Sequence, residues 1–150
     1  MEYYEEDVLS ETIKEIIQVD SDLESRKNLL SMKFDFNLPD LKAIFDRDNK
    51  GHITYREFCE VYDLYRIYPR SEYLRLVFRQ WDKDLDGMLS LHEFVKGICP
   101  KDKNYREMLM ERGSYNKGKP FNRQESFTPQ TTRDFVAYLK ALTQSEERLE

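Results

Sequence analysis

The chain has only two cysteines, five glycines and five prolines among 150 residues, and it has no long apolar run. Each shortage excludes something. Cys59 and Cys99 are too few for a disulfide framework, and neither has a second Cys or a His at metal-site spacing. Both therefore read as buried, reduced thiols that pack as small hydrophobes. No apolar stretch approaches the roughly 20 residues that span a bilayer, which argues against a membrane partner. Met1 to Asp7 carries acids where a secretory signal would carry basic residues, so a soluble, cytoplasmic protein is expected. There is no phosphate-binding glycine loop, no Ser-His-Asp or Cys-His arrangement and no catalytic metal signature, so an enzyme is not expected.

One sign of charge is also missing as a block. The 29 acidic and 24 basic residues leave a net charge of -5, and neither sign runs uninterrupted for long. A nucleic acid is not the expected partner. What is present is 35% charged residues together with 13% aromatics, enough large side chains for a small core. The length suits one compact module with extensions.

From Glu5 to Ser31 there is no Pro or Gly, and Leu9, Ile13, Ile16, Leu23 and Leu30 recur at helical spacing. Asp20 and Lys27 interrupt the stripe, so this helix is expected to pack only in part, against its own core or against a partner. Asn37 is a good N-cap, with Pro39 and Asp40 in the first turn of a short helix to Phe45. A second helix runs from Thr54 to about Tyr65 and stops before Pro69. Ser71 can cap a third, up to Trp81, and a fourth runs from about Leu91 to Cys99. Beyond Pro100, Asp102 can cap a helix holding Tyr105, Met108 and Leu109, ended by Gly113, with Met108 expected in the core. The stretch from Gly113 to Glu125 reads as an extended loop. Thr128-Pro129 opens a last helix with Phe135, Tyr138, Leu139 and Leu142 on one side.

The central part is an internal repeat. Phe45 and Trp81, Gly51 and Gly87, Ile53 and Leu89, Glu57 and Glu93, and Phe58 and Phe94 are each 36 residues apart, as two copies of helix, loop and helix would place them.

The second loop runs from Asp82 to Glu93. Calcium takes six to eight oxygens at about 2.3 to 2.6 Å, and a twelve-residue loop supplies them from acids at alternating early positions. Asp82, Asp84 and Asp86 hold positions one, three and five, and Glu93 at position twelve can bind through both oxygens. Gly87 sits where the chain must turn sharply. Met88 would offer its carbonyl, and Ser90 would ligate directly or through water. The residue types match together inside a helix-loop-helix pattern, which makes the signal specific.

The first loop, Asp46 to Glu57, keeps Asp46, Asp48, Gly51, Thr54 and Glu57, but its fifth position is Lys50. An ammonium has no acceptor and its charge opposes a cation. Weak or absent calcium binding is expected there, with Lys50 turned outward. His52 lies where the loop would offer its main-chain carbonyl, and His92 follows into the next helix, so neither imidazole is expected on a metal.

On these residues the chain resembles the EF-hand superfamily, in the manner of calmodulin, centrin and troponin C, over roughly Asn37 to Cys99. The resemblance implies an all-α fold in which two helix-loop-helix units touch through a short antiparallel ribbon centred on Ile53 and Leu89, with Phe45, Phe58, Trp81 and Phe94 as core aromatics and Ca²⁺ as the bound ion. Residues 1–35 are then an N-terminal helical extension, 36–100 the pair and 101–150 a C-terminal helical tail. A looser resemblance to EF-hand proteins of cilia and flagella suggests a cytoskeletal or ciliary setting.

Two roles fit this reading. One is an adaptor or subunit of a larger protein assembly. The alternative is a sensor that exposes an apolar groove on binding calcium, with Met88, Met108 and Met110 as candidates for an adaptable surface. For the first, the loop carrying Tyr115, Lys117, Lys119, Phe121 and Arg123 is a candidate docking surface for an acidic protein partner.

Overall fold

The computed structural model describes residues 2–118 and 121–149, with side chains described from 10 to 147 within those ranges. Among the described residues, seven α-helices surround one small ribbon: α1 (Glu2–Ser31), α2 (Leu38–Phe45), β1 (His52–Thr54), α3 (Tyr55–Leu64), α4 (Ser71–Trp81), β2 (Met88–Ser90), α5 (Leu91–Ile98), α6 (Lys103–Glu111) and α7 (Pro129–Leu149). A 3₁₀ turn at Arg123–Glu125 precedes α7. Among the described residues, no helix is long and apolar enough to cross a membrane.

Local chemistry explains most of the helix starts. The Asn37 side chain accepts from the Asp40 N–H at 2.8 Å. Thr54 and Ser90 each form a capping box, their hydroxyls accepting from Glu57 N–H and Glu93 N–H while those glutamates reach back to the cap's own N–H. Asp102 caps α6 as its sequence suggests. Ser71 does not cap α4. Pro69 holds the preceding chain extended, Arg70 becomes the cap without a side-chain bond, and Ser71 is already the first helical residue.

Strands β1 and β2 pair antiparallel with Ile53 opposite Leu89, and both side chains are fully buried. Behind them Phe45 packs against Phe58 and Phe94, and Trp81 meets Phe58 and Phe94 edge-on. Trp81 gets this place because of Gly97: a Cβ there would stand 2.4 Å from the indole ring.

The core does not stop at the helix-loop-helix units. Phe36, Leu109, Phe127, Phe135, Tyr138, Leu139 and Leu142 join Phe45, Tyr62, Phe78 and Phe94 in one buried cluster. Helix α7 lies against α4 on one side and α1 on the other. It brings Phe135 edge-on to Tyr65 with ring centroids 5.6 Å apart, and the Tyr62 hydroxyl donates to the Leu139 carbonyl at 2.8 Å.

Long-range polar contacts hold this arrangement. Buried Asp35 accepts from Thr128 N–H at 2.7 Å and from the Thr131 hydroxyl at 2.6 Å, capping α7 from 93 residues away. The Arg112 guanidinium donates to the Ser31 and Phe36 carbonyls where α1 ends. Asp40 receives the Ser114 hydroxyl, the Tyr115 N–H and the Asn116 amide at 2.6, 3.0 and 2.9 Å.

Two expectations are corrected here. Met108 is 43% exposed, because α6 buries a single side chain, Leu109, and turns its methionines to solvent. Cys99 is buried, but Cys59 is only half-buried on the flank of α3; both are free thiols. Helix α1 packs in part, as its interrupted stripe implies. Leu30 is buried and Leu23 half-buried, whereas Ile13 and Ile16 are exposed. The side chain of Leu9 lies outside the described residues.

Candidate metal centre

The second loop folds around its first and last carboxylates. Asp82 Oδ2 accepts from Gly87 N–H at 2.8 Å, which draws the chain back on itself. That turn needs φ near +86° at Gly87, a region open to glycine and strained for other residues. Asp86 Oδ1 accepts from Met88 N–H at 3.0 Å. Glu93 reaches back from α5, Oε1 accepting from Ser90 N–H at 2.9 Å and Oε2 from Asp84 N–H at 3.3 Å.

These bonds aim four carboxylates at one point. Oxygens of Asp82, Asp84, Asp86 and Glu93 all lie within 4.8 Å of one another, the one such convergence among the described residues. Asp82 and Glu93 are buried, Asp84 and Asp86 exposed, so the group has a closed floor and an open mouth.

The crowding shows in the protonation of its members. Hydrogen bonding to Asp82 pushes Asp84 up to about 6. Donation from Met88 N–H keeps Asp86 below the usual carboxylate range, and donation from Ser90 N–H does the same for Glu93. Asp84 thus holds its proton more tightly than a free carboxylate, a crowding that a cation would relieve, and an all-oxygen set of this charge suits a hard divalent ion. The Ser90 hydroxyl is engaged as the helix cap, accepting from Glu93 N–H at 3.1 Å. Met88 is on the ribbon opposite Thr54.

The first loop has the same backbone but a different centre. Asn49 and Leu85 hold matching left-handed conformations, and Gly51 N–H bonds Asp46 Oδ2 at 2.8 Å as Gly87 N–H bonds Asp82. Lys50 is not turned outward. Its ammonium bends into the loop, donating to Glu57 Oε2 and to Asp46 Oδ1, the latter at 3.4 Å. The reason is electrostatic: two carboxylates held in place by Gly51, Thr54 and Lys50 N–H groups need a counter-charge, and the flexible lysine stem can deliver one. Burial would raise the Glu57 and Asp46 pKa values, but the bonds to Lys50 and the loop N–H groups outweigh it and hold both low. Hydrogen bonding to Glu57 likewise raises Lys50. Asp48 is exposed at the rim, Thr54 caps α3, and His52 is on β1.

A family model of the EF-hand domain pair matches residues 43–99. Residues 43–99 are an EF-hand pair. The match spans both loops, and EF-hand pairs bind Ca²⁺, the ion that the acidic group of the second loop can hold. No curated protein and no solved structure matches the chain. EF-hand proteins are typically calcium binders without catalytic activity.

The residues of the candidate docking loop scatter. Arg123 turns inward and donates twice to the Ile44 carbonyl, at 2.7 and 3.2 Å, tying the loop to the end of α2. Tyr115 packs edge-on against Phe34 at 5.6 Å. Lys117 and Phe121 face solvent, and Lys119 lies outside the described residues. Sequence reasoning missed Asp35, Arg112 and Lys50 as structural cations and anions. Only Lys50 carried a signal, its place in a loop that otherwise repeats a calcium site.

Proposed function

We propose that this protein is a calcium-binding adaptor or subunit of a larger protein assembly, in which the EF-hand pair holds a fixed shape. Asp82, Asp84, Asp86 and Glu93 bind calcium through carboxylate oxygens, Met88 adds its main-chain carbonyl, and Ser90 contributes directly or through water. In the first loop Asp46, Asp48, His52, Thr54 and Glu57 hold no ion, because Lys50 supplies the charge from within.

The observation that carries this reading is the position of α7. Phe135, Tyr138, Leu139 and Leu142 lie in the same core as Tyr62 and Phe78, so the chain's own last helix covers the apolar side of the pair. A sensor needs that side to be released with calcium. Here α7 is tied by its first turn to Asp35 and by its middle to Tyr62. The partner is another protein; a cytoskeletal or ciliary setting comes from the looser resemblance alone.

An apolar dye added to metal-free and calcium-loaded protein tests the choice. The adaptor reading expects no calcium-dependent rise in fluorescence. A large rise would replace it with the sensor reading, in which calcium displaces α7.

A further inference from the structure

We infer that the chain self-associates, the N-terminal arm of one copy docking on a basic cavity of a second. The arm is the part of α1 that leaves the core. Residues 10–18 are all exposed, and Ile13, Ile16 and Ile17, spaced for one helical face, are 56%, 41% and 61% exposed. Asp20, one turn beyond Ile16, continues that face. Residues 1–24 hold nine carboxylates and one lysine, so the arm concentrates negative charge although the whole chain mixes its signs.

The matching surface lies between α5 and α6. A cavity of about 470 Å³ has Val95, Cys99 and Met110 in its wall and Lys96, Lys101 and Arg106 around it, with no acidic side chain in the lining. Apolar contact with a cationic rim fits an acidic helix that presents isoleucines.

The arm cannot reach this cavity in its own chain. Lys101 N–H donates to Glu24 at 3.1 Å, so α1 passes the rim at that level. At about 1.5 Å per residue, Ile13 to Ile17 lie roughly 10 to 16 Å farther along the same unbroken helix. A second copy running antiparallel meets the requirement. Both complementary surfaces belong to one chain, so a single two-fold exchange covers both. It also doubles the buried area toward the roughly 1,000 Å² of a specific interface. The proposal does not depend on calcium at the second loop.

Analytical ultracentrifugation of the full chain, with chelator and with calcium, tests it using two surface variants. One is Ile13→Gln with Ile17→Gln, which keeps helix propensity; the other is Lys96→Glu with Lys101→Glu. Circular dichroism and calcium binding serve as checks that both variants fold. The wild type is expected to dimerise in both conditions, each variant to dimerise at least tenfold more weakly, and an equimolar mixture of the two to regain association through its one intact arm and one intact cavity. A monomeric wild type overturns the proposal. So does a dimer lost only in the arm variant, which means arm-to-arm pairing, or a mixture that stays monomeric, or dimers that survive both changes.

Discussion

The Lys50 ammonium donates directly to Glu57, the residue that closes the first EF-hand loop. A carboxylate placed to grip calcium through two oxygens grips a tethered cation, and Asp46 at the other end of the loop shares it. The first loop is therefore held in the shape of its neighbour without metal, and the ribbon joining the two loops keeps its Ile53–Leu89 register.

Replacing this lysine should convert the loop. In Lys50→Asp the fifth position gains an oxygen donor and loses its positive charge, so calorimetry should count one more calcium ion per chain than in the wild type. Without calcium the same variant should be less stable, since its carboxylates then face one another unneutralised. An unchanged stoichiometry would mean that Lys50 is not what excludes the ion.

The two buried tyrosines of the α7 interface should respond in opposite directions. Tyr62 donates to the Leu139 carbonyl, so Tyr62→Phe loses a buried bond, at a cost of about 1 kcal/mol. The Tyr138 hydroxyl is fully buried without a hydrogen-bond partner among the described residues, and Tyr138→Phe should raise stability by about 1 kcal/mol. Urea unfolding of both variants checks the pair of signs, and equal losses would contradict the placement of α7.

Asp40 gives a pH dependence. Burial would push its pKa up, but bonds from Ser114, Asn37, Asn116 and Tyr115 N–H outweigh that and hold it below the usual value. A folded pKa below the unfolded one contributes stability above the ordinary carboxylate range, near about 4, and loses it as pH falls through the lowered value. Thermal unfolding of wild type against Asp40→Asn should therefore differ most at neutral pH and converge in acid. A difference that grows on acidification has the wrong sign for this account.

Much of the pair was legible because its signals are local and repeat. The spacing of Asp82, Asp84, Asp86, Gly87 and Glu93 carries its own chemistry, and the resemblance to EF-hand pairs implies the ribbon in which Ile53 faces Leu89. Lys50 was legible as a defect but not as a replacement, since residue type says nothing of which way a four-carbon stem turns. The clasps were hidden for another reason. Asp35 with Thr131 and Arg123 with Ile44 join residues 96 and 79 apart, and no periodicity marks a contact made by tertiary packing. Nothing in the sequence sets Gly97 apart, because its missing Cβ matters only where Trp81 packs against it.

Covering of the pair by α7 also sets what Trp81 can report. The indole sits between Phe58 and Phe94 beside the second loop, in a place fixed by Gly97. Calcium should change its fluorescence only slightly in a pair of fixed shape. A large spectral shift would show the helices moving apart.

Calorimetric titration of the metal-free protein with calcium, alongside Glu93→Gln and Glu57→Gln, tests the central claim most directly. The account predicts a single ion per chain, lost in Glu93→Gln and bound within a few-fold of wild-type affinity in Glu57→Gln. Two ions in the wild type, or binding that survives Glu93→Gln and disappears in Glu57→Gln, would contradict it.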